Sequence, residues 1–152
     1  MRAYAAFAAR NKRLLAFGAL MTFSSSFGQT FFISLFAGEI RAEFSLSDGE
    51  FGLIYSVGTL LSAAALLATG PLIDRIDLRA CACMVLFGLA AACTALSFSE
   101  SAILLIGIVF LLRQFGQALP GHTAMTAMGR YFDDGRGKAV SQIGRASCRE
   151  RV

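Results

Sequence analysis

Charge-free runs divide this chain. Leu14 to Gly38 is 25 residues without a charged side chain, Phe51 to Ile73 is 23, and Ala80 to Ser99 is 20. A helix rises about 1.5 Å per residue, so each run is long enough to cross a hydrocarbon layer ~30 Å thick. A fourth run, Ser101 to Gly129, holds one full charge, Arg113, and the only histidine, His122. None carries a polar face wide enough for the solvent side of a soluble bundle. Backbone in hydrocarbon must satisfy its own hydrogen bonds, so the runs read as helices. The pattern predicts an all-α, polytopic membrane helical bundle, with spans of about 14–38, 51–72, 80–98 and 102–128 and a fifth starting near 139. Ser47 with Glu50 three residues on has the form of a capping box before the second span, and Gly70-Pro71 reads as its stop.

Composition agrees. Of 152 residues 56% are hydrophobic, about 85 side chains, with a mean hydropathy of +0.63; four spans need about 80. Only 16% are charged, against ~25% in soluble proteins. A disordered chain, a nucleic-acid-binding domain and a disulfide-stapled secreted fold are poor readings. The net charge of +4 points to no nucleic-acid partner, because the bases lie in the gaps between apolar runs. Arg2, Arg10, Lys12, Arg13, Arg75, Arg79, Arg130, Arg136 and Lys138 all fall on one side, against Arg41 alone on the other. The positive-inside rule therefore puts the N-terminus in the cytoplasm of a multi-pass inner-membrane protein, with the lipid bilayer as its partner. The first run is too long for the ~7–15-residue core of a signal peptide.

Catalytic chemistry is sparse. Cys81, Cys83 and Cys93 fall within the third span as small hydrophobes, and the Cys81-Ala82-Cys83 spacing is too tight for a zinc knuckle. No nucleophile elbow, zinc-protease motif or pair of intramembrane carboxylates is present, so no enzyme, metal or cofactor is expected. Lacking a phosphate-cradling glycine loop, the chain carries no ATPase motor.

Three short segments carry more. Gly70-Pro71-Leu72-Ile73-Asp74-Arg75-Ile76-Asp77-Leu78-Arg79 lies in the cytoplasmic loop between spans two and three. Arg113-Gln114-Phe115-Gly116-Gln117-Ala118 lies in span four, and Gly129-Arg130-Tyr131-Phe132 with Arg136-Gly137-Lys138-Ala139 follows it. Their order, spacing and membrane side resemble the signatures of the major facilitator superfamily. Asp77 stands where that family usually has Gly, though Asp is among the better non-Gly residues at positive φ; Leu78 replaces a basic residue.

The resemblance implies secondary transport of a small solute by alternating access, driven by an ion gradient or by simple facilitation. It makes Gly70, Asp74, Arg75, Arg79 and Arg130 a cytoplasmic gate, with Asp74 and Arg130 meeting there. It also places spans one and four around the central cavity, and with them Ser26, Gln29, Arg113 and Gln117. Counted from Ala102, Arg113 is about 16 Å into span four, near the midplane. A charge there costs ~2.5–3.5 kcal/mol on insertion scales and is read as functional by default. Arg113 points to an anionic solute, or to proton coupling through a carboxylate beyond Gln142, since no Asp or Glu lies inside the four spans. Gln29 suits either the pathway or helix packing, and Ser24 to Ser26 suit packing. Pro120 is expected to kink span four. His122 beside it suits a proton relay or, as the plainer reading, a hydrogen bond to a neighbouring helix. Gly52, Ser56, Thr59 and Ala63 form a small-residue face that suggests close packing.

Ile143 to Val152 changes abruptly to basic, polar peptide, and its codons resemble one reading frame of a common sequencing adapter. Residues 1–142 then read as the front of a six-helix half, too short to transport alone. The alternative is a complete four-helix membrane protein acting as an oligomeric carrier or assembly subunit. Long-read sequencing of the gene from upstream of the Gln142 codon separates the two. We expect the frame to run on into further hydrophobic spans; a stop after Val152 selects the alternative.

Overall fold

The computed structural model describes residues 11–73, 75–131 and 137. Asp74, the expected start of a fifth span near Ala139 and the 143–152 tail lie outside them.

The first apolar run is not one helix. Helix α1 (Lys12–Ser24) passes into a 3₁₀ turn over Ser25–Gly28, and Gln29 is extended at φ −78°, ψ 154°. Helices α2 (Thr30–Leu35) and α3 (Ala37–Glu43) then carry the chain onward, past the expected end at Gly38. The cause is local. Three serines and a glycine within Ser24–Gly28 have weak helix propensity, and Ser25 Oγ donates to the Thr22 carbonyl at 2.6 Å, the back-bonding that bends helices. A charge-free run reports a lipid-like environment and not helix continuity.

Three longer helical segments follow, each long and apolar enough to cross a membrane: α4 (Asp48–Ile73), α5 (Leu78–Ser97) and the segment Ala102–Tyr131. At the start of α4 the capping box is formed. Ser47 N–H donates to Glu50 Oε2 at 2.9 Å, and Glu50 N–H donates to Ser47 Oγ at 3.3 Å. The α3–α4 turn closes through Ser45 at φ 52°, with Leu46 N–H donating to the Arg41 carbonyl, a Schellman arrangement. An Arg41–Asp48 ion pair spans the same turn.

The last segment is α6 (Ala102–Arg113), a π-helical turn over Gln114–Ala118, and α7 (Leu119–Tyr131). Pro120 does not end it. The distortion appears just upstream, as the wide turn in which Leu119 N–H donates to the Gln114 carbonyl. A proline removes one ladder donor and crowds the carbonyl four residues back, and a π turn is a recognised way to take up such irregularity.

Helix α4 packs along α6, α1 packs along α7, α5 lies against both halves of the last segment, and the 3₁₀ turn crosses the π turn. Apolar clusters fill these seams, around Met21, Val85 and Leu119, around Leu89 and Leu112, and around Ile54 and Leu105. Outward faces are apolar as well: Leu67, Phe87, Phe98 and Ile103 are each more than 75% exposed. That inventory fits a bilayer and not water, and the protein is an all-α membrane helical bundle.

The small-residue face assigned from sequence to helix packing is displaced. Gly52, Ser56 and Ala63 are exposed, whereas Ile54, Gly58 and Ser62, four residues apart, are buried. A Cβ on Gly58 would sit 2.8 Å from Val109 Cγ1 and 3.1 Å from the Ile106 carbonyl. Two small faces of similar spacing lie side by side on this helix, and composition does not rank them. The tightest crossing is between turns: a Cβ on Gly28 would collide with the Leu112 carbonyl and the Gly116 backbone, and one on Gly116 would lie 2.7 Å from Gly28 Cα. Gly116→Ala should therefore destabilise the protein by ~1–3 kcal/mol, the usual cost of overpacking. Gly107→Ala, with nothing within 4 Å of its Cβ, should be neutral or stabilising. Unfolding in detergent micelles measures both; equal effects would mean that the crossing does not set the stability.

Candidate functional site

The break in the first segment creates the site. At Gln29 the helical ladder stops, leaving carbonyls of the preceding turn without helical donors. The Gln29 N–H reaches the Ser26 carbonyl at 3.1 Å. The Gly28 carbonyl instead accepts from Arg113 Nη1 at 3.2 Å, and Thr30 Oγ1 lies 3.4 Å from the same nitrogen. Tyr55 on α4 donates to Thr30 Oγ1 at 2.8 Å, and its ring lies 5.5 Å from the guanidinium carbon, within cation–π range. Arg113 is thus held by a backbone carbonyl, a hydroxyl and an aromatic face, with no carboxylate partner among the described residues.

The next residue, Gln114, is 3% exposed and bonded at both ends of its amide. Ser62 Oγ donates to its Oε1 at 2.8 Å, and its Nε2 donates to Thr69 Oγ1 at 3.0 Å, tying the π turn to α4. Beside this network lies a cavity of about 260 Å³ lined by Thr59, Ser62, Ala63, Leu66, Arg113, Gln117 and Ala118. Thr59 Oγ1 and Gln117 Oε1 are buried there and have no hydrogen-bond partner among the described residues. A buried polar group left without a partner costs ~1–3 kcal/mol. A second cavity, of about 170 Å³, lies between Phe27, Phe32, Phe36, Leu96 and Leu112 and is apolar throughout.

The structure brings some of the sequence-selected residues together and separates others. Arg113 and Gln117 share the polar cavity. Gln29 is the hinge residue next to the carbonyl that Arg113 grips, and Ser26 lies in the 3₁₀ turn; neither lines the cavity. His122 is elsewhere: its Nε2 is 3.2 Å from the Gly70 carbonyl in the last turn of α4. Arg130 Nη1 donates to the Ile76 carbonyl at 3.2 Å in the loop that follows, and Arg75 and Arg79 are exposed. Asp77 does not take positive φ. It is extended at φ −61°, ψ 135°, and caps α5 by accepting from the Arg79 N–H at 3.1 Å.

Thr59, Ser62 and Gln114 were not selected as site residues. Thr59 had been placed with the packing residues, and Gln114 had been quoted only within a motif. An amide in a span is a readable signal, but which of two amides three residues apart bonds the neighbour depends on the π turn. Cys81 Sγ lies 3.2 Å from Thr123 Oγ1, both buried, while Cys83 and Cys93 are exposed. Among the described residues no group of three His, Cys, Asp or Glu could hold a metal ion.

The family model of the Major Facilitator Superfamily matches residues 18–144. No curated protein and no solved structure matches the chain.

If Gln114 ties the two helices together, Gln114→Leu should destabilise by ~1–3 kcal/mol by orphaning buried hydroxyls. Adding Ser62→Ala should cost less than the two single changes summed, with a coupling of ~0.5–3 kcal/mol in a double-mutant cycle. Strict additivity would dissolve the network.

Proposed function

The chain belongs to the Major Facilitator Superfamily, and from that membership we propose that it is secondary-transport machinery for a small anionic solute, working in an inner membrane with its N-terminus in the cytoplasm. That it is a multi-pass membrane protein of a transporter family is established by the family match and the apolar helices. The observation that carries the rest is Arg113. It is a half-buried guanidinium in the interior of the last segment, held by neutral groups and opening onto a polar cavity. A cation desolvated in this way retains its attraction for an anion, which water would otherwise screen. A guanidinium also presents further N–H groups in a planar fork suited to a carboxylate.

Alternating access needs the site to open to one side at a time. Gly70, Arg75, Arg79 and Arg130 surround the loop after α4, and we read them, with Asp74, as the cytoplasmic gate. The Arg130–Ile76 hydrogen bond supports that reading, as does the seating of His122 on the Gly70 carbonyl. We assign His122 to this latch in preference to a pathway beside Arg113. It stands nine residues further along, about 13 Å of helix rise. Ion coupling supplies the driving force in this proposal, with protons as the coupling ion.

Counterflow of labelled organic anions in proteoliposomes holding the full-length protein encoded by the gene tests the proposal, for these substitutions and for Asp74→Asn alike. Arg113→Leu should lower exchange by about 10- to 100-fold, the equivalent of a charge-assisted bond of ~1.5–3 kcal/mol. Arg113→Lys should recover little, because an ammonium does not reproduce the fork. Exchange unaffected by Arg113→Leu would sink the anion site. A transport rate unchanged in Asp74→Asn at normal expression would sink the gate.

A further inference from the structure

Many hydroxyls within these helices bond their own backbone, and others bond a neighbouring segment, as Ser62 does with Gln114. Thr22, Ser56, Thr69, Thr94 and Ser97 each donate to the carbonyl four residues back on their own helix, at 2.7–3.2 Å. Thr59 does not: its Oγ1 is buried, unpartnered and set in the wall of the Arg113 cavity. Across the same cavity Gln117 Oε1 is buried and unpartnered, whereas Gln114, three residues away, uses both ends of its amide. The two orphans that line a cavity thus line the same one, beside the cation. The third unpartnered side-chain atom among the described residues, Ser99 Oγ, belongs to the α5–α6 turn.

We propose that this cavity selects small hydroxy-carboxylates: Arg113 takes the carboxylate, and Gln117 Oε1 and Thr59 Oγ1 take the hydroxyl. This deepens the transporter reading and rests on it. Arg113 uses one nitrogen on Gly28 and Thr30, which leaves the rest of the fork for two carboxylate oxygens. An amide oxygen accepts and cannot donate, so the ligand must bring a donor to Gln117; the Thr59 hydroxyl accepts or donates as needed. An ammonium would also donate, but among the described residues Arg113 is the only ionisable one lining the cavity. A second cation a few ångströms from it would be repelled, with no carboxylate to offset the repulsion. A neutral hydroxyl meets both conditions. At about 260 Å³ the cavity lies below the ~300–1,000 Å³ of drug-sized sites, which limits it to small acids.

Three acids of one skeleton test the proposal. Radiolabelled L-lactate, propionate and L-alanine are titrated against the purified chain in lipid nanodiscs, with wild type, Gln117→Leu and Thr59→Val. We expect L-lactate to bind wild type at least ~10-fold more tightly than propionate, since a site built for a hydroxyl rejects the analogue that lacks it. L-Alanine should bind no better than propionate. Each substitution should erase the lactate preference while leaving propionate affinity within about threefold. Without ligand, Thr59→Val should melt no lower than wild type, because a methyl removes an unmet polar group.

Equal binding of lactate and propionate would overturn the proposal, leaving a cavity that is merely hydrated. A lactate preference surviving both substitutions would overturn it too, as would binding of alanine on a par with lactate. A large drop in the melting temperature of Thr59→Val would make that residue structural and remove it from the site. If none of the acids binds, this inference fails alone. Counterflow of any other solute would still support the transport reading.

Discussion

The contact between the break in the first segment and the π turn in the last is the constraint on which the bundle depends. Each irregularity leaves backbone groups out of their helical ladder, and in hydrocarbon such groups are costly. They are placed against each other. Gly28 and Gly116 have no side chains, so the two backbones meet at a distance that a single Cβ would forbid. At that distance the side chain from three positions before Gly116 reaches the Gly28 carbonyl. The orphaned carbonyl gains a donor, and the guanidinium gains a partner without an opposing charge. A larger residue at either glycine would separate the turns and leave both groups unsatisfied at once.

The remaining polar groups sort around that junction. Most hydroxyls turn back on their own helix and are silent. Such local bonds account for Thr22 and Ser25 in the first segment. A smaller set, Ser62, Thr69 and Gln114, forms a closed network that fixes α4 against the π turn. Fully satisfied networks of this kind rigidify a core, and here the rigid element stands directly behind the cavity wall.

What could be read from sequence follows from what hydrophobicity measures. Charge-free length reveals that a segment lies in lipid, so the bundle, its membrane character and the isolated Arg113 were legible. So was the capping box, because its partners are three residues apart. The interruption did not show in the charge pattern, since Ser24–Gly28 is as uncharged as its flanks; its signal lay in the weak helix propensity of three serines and a glycine. The choice between the Gly58 and Thr59 faces was hidden, both being small. Asp77 was read through the glycine it replaces. The chain meets the need differently there, by an extended cap on α5 instead of a left-handed turn.

The same physical solution recurs along the last segment, and this ties the cavity to the loop after α4. Arg113, His122 and Arg130 each reach a backbone carbonyl of another segment: Gly28 at the break, Gly70 in the final turn of α4 and Ile76 in the loop beyond. The Gly28 and Ile76 carbonyls lie where a helix is interrupted, the Gly70 carbonyl lies in the last turn of α4, and all three partners come from one continuous segment about 25 Å long between Arg113 and Arg130. A rotation of that segment about its own axis would strain all three bonds together, because the segment is a single rigid rod apart from its π turn. The π turn lies between Arg113 and the other two, and a wide turn is the most adjustable point in a helix. Movement of this segment in the described residues therefore takes one of two forms: it turns as a unit or yields at Gln114–Ala118. The Gln114 network on α4 resists the second of these.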